Sequence, residues 1–436
     1  MNPLHVGLLG IGTVGGGAFT VLTRNAAEIS RRAGRPIHIT VVADKNLELA
    51  RSITGGACRV TDDAFAVVKD PAIDVVVELI GGTGIAKELV LQAIERGKHV
   101  VTANKALLAV HGNEIFAAAQ KKGVMVAFEA AVAGGIPIIK ALREGLAANH
   151  IKWVAGIING TTNFILSEMR DKGLSFAEAL KEAQALGYAE ADPTFDIEGV
   201  DAAHKATLIA AIAFGIPIQF DKAYVEGITR LEAIDLKYAG QLGYRVKLLG
   251  IARRRADGVE LRVHPVLIPA KRLLANVEGA MNAVLVYADA VGATLYYGKG
   301  AGAEPTASAV IADLVDIARA AAIDPDNRVP HLAFQPDQLH DLPILPIVEA
   351  ETACYLRLKV ADKPGVLADV TRILADQEIS IDALLQREPE EGEGETDVIV
   401  LTHRCKEKQA DAAIRKIEAL TAVIGKVTRL RLEDLQ

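Results

Sequence analysis

Near the N-terminus a β-branched run at residues 5–9 leads straight into Gly10-Ile11-Gly12-Thr13-Val14-Gly15, followed by Gly16, Gly17 and a helical pattern over 14–33. No other feature constrains the fold as strongly. A strand that turns on glycines into a helix opens a βαβ unit. The glycines let backbone N–H groups approach a pyrophosphate at the helix N-terminus, where the dipole favours negative charge. Gly10, Gly12, Thr13, Val14 and Gly15 are therefore candidate cofactor-binding residues. Further β-branched runs at 37–43, 75–79 and 98–102 alternate with helical patterns, which predicts a parallel sheet covered on both faces. The expected fold class is α/β, with a Rossmann-type doubly wound nucleotide-binding domain at 1–130.

The chain has 436 residues, about twice the size at which one core stops growing, so further domains are expected. Strands at 124–128 and 261–267 mixed with helices at 175–186 and 200–213 predict a second, mixed α+β domain over 131–303. A helical segment at 304–323 is expected to return to the first domain. Prolines 325, 330, 336, 343 and 346 predict an extended connector over 324–352. Residues 353–436 carry the order strand, helix, strand, strand, helix, strand, a ferredoxin-like βαββαβ unit. The acidic run 388–395 within it reads as a solvated hairpin tip.

With 48 basic and 55 acidic residues the net charge is −7, and only 4% of residues are aromatic. Such a surface repels phosphate backbones and anionic lipid, so neither nucleic acid nor membrane is an expected partner. The apolar run 206–220 is shorter than the roughly 20 residues a membrane span needs and reads as a buried core helix. No secretory signal is visible, which predicts a cytoplasmic protein. Cys58, Cys354 and Cys405 show no metal-ligand spacing and read as reduced thiols. His99, His204 and His264 likewise have no ligand partner at helical spacing and read as packing histidines.

The second strand ends in Asp44-Lys45: an acid there bonds adenosine ribose hydroxyls, whereas Lys45 suits a 2′-phosphate, so NAD and NADP both remain open with a lean to NAD. Later strands end in Gly81-Gly82 and Ala103-Asn104-Lys105, placing Gly81, Ala103 and Lys105 at the ligand edge of the sheet. Between residues 185 and 205, acidic side chains including Glu190, Asp196 and Asp201 surround a Pro/Gly loop that opens an apolar helix. Asp201 and Lys205 stand at i and i+4 and share one face. A lysine at an oxidoreductase site must have its pKa lowered by burial or a second cation, and Lys105 can supply that cation. The pair would hold an alcohol or carbonyl oxygen, one lysine relaying the proton as hydride leaves. Glu190 would grip a substrate ammonium.

The stretch Ala183-x-x-x-Gly187 through Asp192-Pro193, Asp196-Ile197-x-Gly199-x-Asp201 and Lys205 resembles the signature of the homoserine dehydrogenases. The resemblance extends to residues 101–105, 129–137, 159–163 and 300–306. It implies interconversion of L-homoserine and L-aspartate 4-semialdehyde with a nicotinamide cofactor. By position, Lys205 would be the acid/base residue, Glu190 would hold the substrate amino group, and Asp201, Lys105 and Asp196 would complete the polar site. It also implies Gly302 near the cofactor and a monovalent cation, Na or K, on backbone oxygens of Glu129, Val132, Gly134 and Ile136. The C-terminal unit resembles an ACT domain, with Pro364, Gly365, Val366 and Leu367 at the turn expected to bind an amino-acid effector, threonine being the end product implied. Ile379-Ser380-Ile381-Asp382 departs from that family's usual pattern and leaves the effector's identity open. The resemblance also implies that residues 131–303 form the catalytic and dimerisation domain, in a homodimer or homotetramer. A thiol-dependent aldehyde dehydrogenase lacks a well-placed cysteine, and a non-enzymatic dinucleotide and amino-acid sensor has no need of the two lysines and their carboxylates together.

Overall fold

The computed structural model describes residues 2–387 and 394–435, so most of the acidic tip expected at 388–395 lies outside the described residues. Strands β1 (Leu4–Leu9), β2 (Ile37–Ala43), β3 (Arg59–Thr61), β4 (Val75–Glu78), β5 (His99–Thr102) and β6 (Val126–Ala127) form a parallel sheet ordered β3-β2-β1-β4-β5-β6. β1 and β4 read as near-continuous apolar runs because helices cover both faces of the sheet. The order reverses between β1 and β4, and ligands bind beyond the carboxyl ends of strands at such a point. Helix Ala303–Ala320 returns across the domain boundary and buries Ala307, Val310 and Leu314 in the same core as Leu4, Val6 and Leu8.

Three local expectations are corrected. The helix expected over 14–33 is two helices, Thr13–Arg24 and Ala26–Ala33, broken at Asn25, a weak helix former whose backbone leaves the helical region at φ −105° and ψ 16°. The strand expected at 124–128 shortens to β6 because the chain turns at Glu129–Ala131. The apolar run 206–220 is helical only to Phe214, ending on Gly215 in the left-handed conformation.

The second sheet is built from β7 (Ile151–Ile157), β8 (Tyr224–Val225), β9 (Tyr244–Arg254), β10 (Val259–Pro269), β11 (Met281–Ala288) and β12 (Gly292–Lys299). Helix Val200–Phe214 packs on it and is buried along nearly its whole length. In the C-terminal unit, β13 (Glu351–Ala361), β14 (Ile381–Gln386), β15 (Glu395–Thr402), β16 (Cys405–Lys406) and β17 (Val423–Leu432) combine with helices Val366–Asp376 and Glu407–Glu418. This unit does not hang free on its connector. β17 pairs in parallel with β10, Val266 opposite Arg431 and Leu267 opposite Leu432, so one sheet runs β12-β11-β7-β9-β10-β17-β13-β15-β14.

Buried charges seal that seam. Arg431, 1% exposed, donates to Glu407 at 2.9 and 3.0 Å and to Glu226 at 2.8 Å, and Arg262 donates to Glu433 at 2.5 Å. The proline-rich segment is also held down: His340 donates its N–H to the Gly215 carbonyl, and Leu345 does the same to Val259. Among the described residues no helix is long and apolar enough to cross a membrane.

Candidate active site

A cavity of about 820 Å³ lies where the two domains meet, lined by Thr13, Val14 and Lys105 from one and by Asp196, Asp201 and Lys205 from the other. On the first side, Gly10 has φ +93°, which only glycine takes without strain, and a β-carbon on Gly15 would stand 2.0 Å from the Gly10 carbonyl oxygen. Helix Thr13–Arg24 begins without a side-chain cap, leaving its leading N–H groups for a ligand. This cradle fits a dinucleotide pyrophosphate. Asp44, at the end of β2, accepts from the Ile11 N–H at 2.7 Å and the Asn46 N–H at 2.8 Å, so it is tied into the glycine turn. Lys45 donates to the Asp62 carbonyl at 3.3 Å.

The ends of β4 and β5 are pinned together. Buried Glu78 accepts from the Ile80 and Gly81 N–H groups, each at 2.9 Å, and from the Thr102 hydroxyl at 2.7 Å. Asn104 caps helix Lys105–Lys122 and donates to the Gly82 carbonyl at 2.7 Å. Lys105 therefore leaves a rigid helix start, pointed at the second domain.

There its ammonium meets Asp201 Oδ1 at 3.2 Å, while Lys205 Nζ meets Asp201 Oδ2 at 2.7 Å and the Ile158 carbonyl at 2.8 Å. The i and i+4 spacing on one helix gives the second pair, and the domain interface gives the first. Asn159 donates to both carboxylates, at 2.7 Å to Asp196 and 2.8 Å to Asp201, and Thr161 donates to the Tyr188 carbonyl at 2.6 Å. Burial lowers the Lys205 pKa; Asp201 opposes that and Lys105 adds to it. Burial would raise the Asp201 pKa, but Lys205 and Lys105 hold it well below the usual carboxylate range. Burial, and then Asp201, push Asp196 up. Asp201 is thus a fixed anion between two cations, beside a carboxyl that holds a proton more readily than usual. An ammonium has three donors, and the two bonds recorded for Lys205 leave one to face the cavity.

The homoserine dehydrogenase family profile matches residues 137–315, its NAD-binding domain matches 10–129, and the ACT domain matches 355–422. The chain is 63% identical to a homoserine dehydrogenase of Pseudomonas aeruginosa over all of both chains. A crystal structure of a homoserine dehydrogenase from Thiobacillus denitrificans superposes with a TM-score of 0.96 at 68% identity, covering 100% of this chain and 99% of that one. A hyperthermophilic archaeal homoserine dehydrogenase, solved in complex with NADPH, covers 72% of this chain and 97% of its own at 26% identity and a TM-score of 0.62. The chain belongs to the homoserine dehydrogenase family. It is an oxidoreductase with a nicotinamide-binding domain and a C-terminal ACT domain.

Not every residue singled out in the sequence reaches the cavity. Glu190 is exposed and absent from the lining, although Gly187 and Tyr188 of the same loop belong to it. Gly302, at φ +120°, and Ala103 are in the lining; Asp44 and Gly81 border the nucleotide end through the bonds above. Glu129, Val132, Gly134 and Ile136 form a buried turn in which Ala133 and Gly134 both have positive φ. The Glu129 carboxylate is taken by the Ile139 and Lys140 N–H groups at 2.9 and 2.8 Å, and burial pushes its pKa up to about 7. Pro364 and Gly365 are exposed at the uncapped start of helix Val366–Asp376, with Val366 buried and Leu367 half-buried.

Asn159 is a residue of the site whose contacts the sequence did not disclose. Its place before Gly160-Thr161-Thr162 is a helix N-cap signal, but the two carboxylates it holds are 37 and 42 residues away. The thiols are far from the chemistry: Cys354 and Cys405 are buried in the C-terminal core, and Cys58 packs in the nucleotide domain. His99 accepts from the Met125 N–H, His264 contacts Arg262, and the His204 ring lies against Phe195 and Phe220.

Proposed function

We propose that the enzyme interconverts L-homoserine and L-aspartate 4-semialdehyde, with Lys205 taking the hydroxyl proton in oxidation and returning it in reduction. The observation that carries this reading is the Lys105–Asp201–Lys205 bridge inside a cavity that also holds the glycine turn. Bound nicotinamide supplies the hydride acceptor in oxidation and the donor in reverse. Lys105 and Lys205 orient the reacting oxygen, and Asp201, held by Asn159, fixes both ammonium groups. Burial favours the neutral Lys205 amine that accepts a proton. Asp196 completes the polar wall. We assign the substrate ammonium to Glu190, two residues beyond Tyr188, which requires its loop to fold inward.

Asp44 in the ribose position favours NAD, since its charge opposes a 2′-phosphate; the NADPH complex of the archaeal relative keeps NADP as a second substrate to assay. A Na or K ion fits the turn at Glu129, Val132, Gly134 and Ile136, because the Glu129 carboxylate is already occupied by two N–H groups and main-chain oxygens suit a hard cation. An amino-acid effector, L-threonine, fits the uncapped helix start at Pro364, Gly365, Val366 and Leu367, whose N–H groups can meet a carboxylate. We place the enzyme in the cytoplasm as a homodimer or homotetramer.

The test follows reduced-cofactor absorbance with L-homoserine at alkaline pH, with NAD and NADP separately, each with and without L-threonine. Homoserine-dependent reduction inhibited by threonine is expected. No reduction with either dinucleotide, by folded protein, overturns the assignment.

A further inference from the structure

Asn282 stands on β11 opposite Gly298 of β12 and is 1% exposed. Although it belongs to the cavity wall, both its amide Nδ2 and its Oδ1 are enclosed without a hydrogen-bond partner. The cause is the loop after β12. Gly300 lies on the amide so closely that a β-carbon built on it would stand 1.9 Å from Nδ2 and 2.6 Å from Oδ1. On its other side the loop is tied by the Gly135 N–H to the Lys299 carbonyl at 3.1 Å. Gly300, Ala301 and Gly302 line the same cavity as Thr13 and Val14 of the glycine turn.

A buried amide with its donors and acceptor unmet is costly. The surroundings do satisfy a comparable group: Asn163 Nδ2 lies 2.9–3.1 Å from the carbonyls of Val277, Gly279 and Met281, and its Oδ1 accepts from Lys247. Asn282 is therefore not an ordinary core amide. Its missing partner must offer both a donor and an acceptor, as a peptide group does. A substrate carboxylate offers acceptors only and would leave Oδ1 unmet.

We propose that Asn282 is a positioning residue that latches the 299–302 loop over the bound nicotinamide dinucleotide. With the dinucleotide in place, the loop's main chain slides off the face of the amide and gives Asn282 one of its N–H groups and one of its carbonyls. The two loop positions differ by the two hydrogen bonds that Asn282 gains in the second.

The test is Asn282→Leu, which keeps the volume and removes both polar atoms. The expected variant unfolds at the same or a higher temperature without ligand, because a buried orphan is gone. It binds whichever of NADH and NADPH the wild type prefers about tenfold more weakly in a fluorescence titration, and the KM for that dinucleotide rises while kcat at saturation changes little. A residue that merely fills the core would leave the dinucleotide Kd unchanged, and a Kd within twofold of wild type overturns the proposal. Should the variant not fold, hydrogen exchange on the wild-type enzyme decides it. The amides of 299–302 slow when NADH or NADPH is added, and unchanged exchange in dinucleotide-saturated enzyme overturns the latch.

Discussion

Replacing Asp201 by Asn removes the anion between two lysines and keeps its shape. At an effective dielectric near 20, a unit pair at the 2.7 Å separating Asp201 from Lys205 attracts by about 6 kcal/mol, and the 3.2 Å pair with the partly exposed Lys105 by less than about 5 kcal/mol. At about 1.4 kcal/mol per pKa unit, losing the first pair alone would drop the Lys205 pKa by up to about 4 units. The Asn dipole and entering water reduce that, so a fall of at least about 1 unit is expected. In the proposed mechanism homoserine oxidation uses the neutral amine, so the acid limb of kcat/KM is expected to move to lower pH in Asp201→Asn. Lys105 lowers the Lys205 pKa, so Lys105→Met must move the same limb to higher pH. Initial rates of dinucleotide reduction over a pH series read both shifts. Limbs that stay within a few tenths of a unit of wild type in both variants would refute the placement of Lys205 as the titrating base.

Gly15→Ala drives a methyl into the Gly10 carbonyl and should abolish dinucleotide binding in a titration while circular dichroism shows a folded chain; normal affinity would mean that the turn is not the pyrophosphate site. Arg431→Met takes two hydrogen bonds from buried Glu407, leaving it Thr352 and Arg429, and should cost up to about 3–5 kcal/mol, read as a fall of several degrees in calorimetry; an unchanged transition would mean that the seam charges contribute nothing. Glu190→Gln should raise the homoserine KM several-fold with little change in kcat, and an unchanged KM would free Glu190 from substrate binding.

The glycine turn, the strand alternation and the Asp201/Lys205 spacing were all legible in the sequence, because each rests on local geometry: a tight turn, a period, a helix face. The break at Asn25 was not, since a single residue interrupted a pattern that stayed helical on both sides. The pairing of β17 with β10 has no sequence signature, because parallel partners 165 residues apart, such as Val266 and Arg431, are chosen by packing alone. For the same reason Asn159 entered only within the 159–163 stretch of the resemblance, with no contact assigned to it. Glu190 was singled out for its charge near the signature, and charge does not say which way an exposed loop faces.

A sheet that runs unbroken from β12 to β14 has spent most of its edges. Among the described residues, the outer sides of β12 and β14, at the two ends of the sheet, lack a pairing strand, one in the catalytic unit and the other in the ACT unit. Each carries exposed apolar side chains, Tyr297 on β12 and Leu384 and Leu385 on β14. Bare strand edges invite strand addition, so any growth of this sheet into a second chain has two doors, at opposite ends. Contacts of like with like at either end close an assembly, whereas joining β12 of one chain to β14 of the next would propagate without limit.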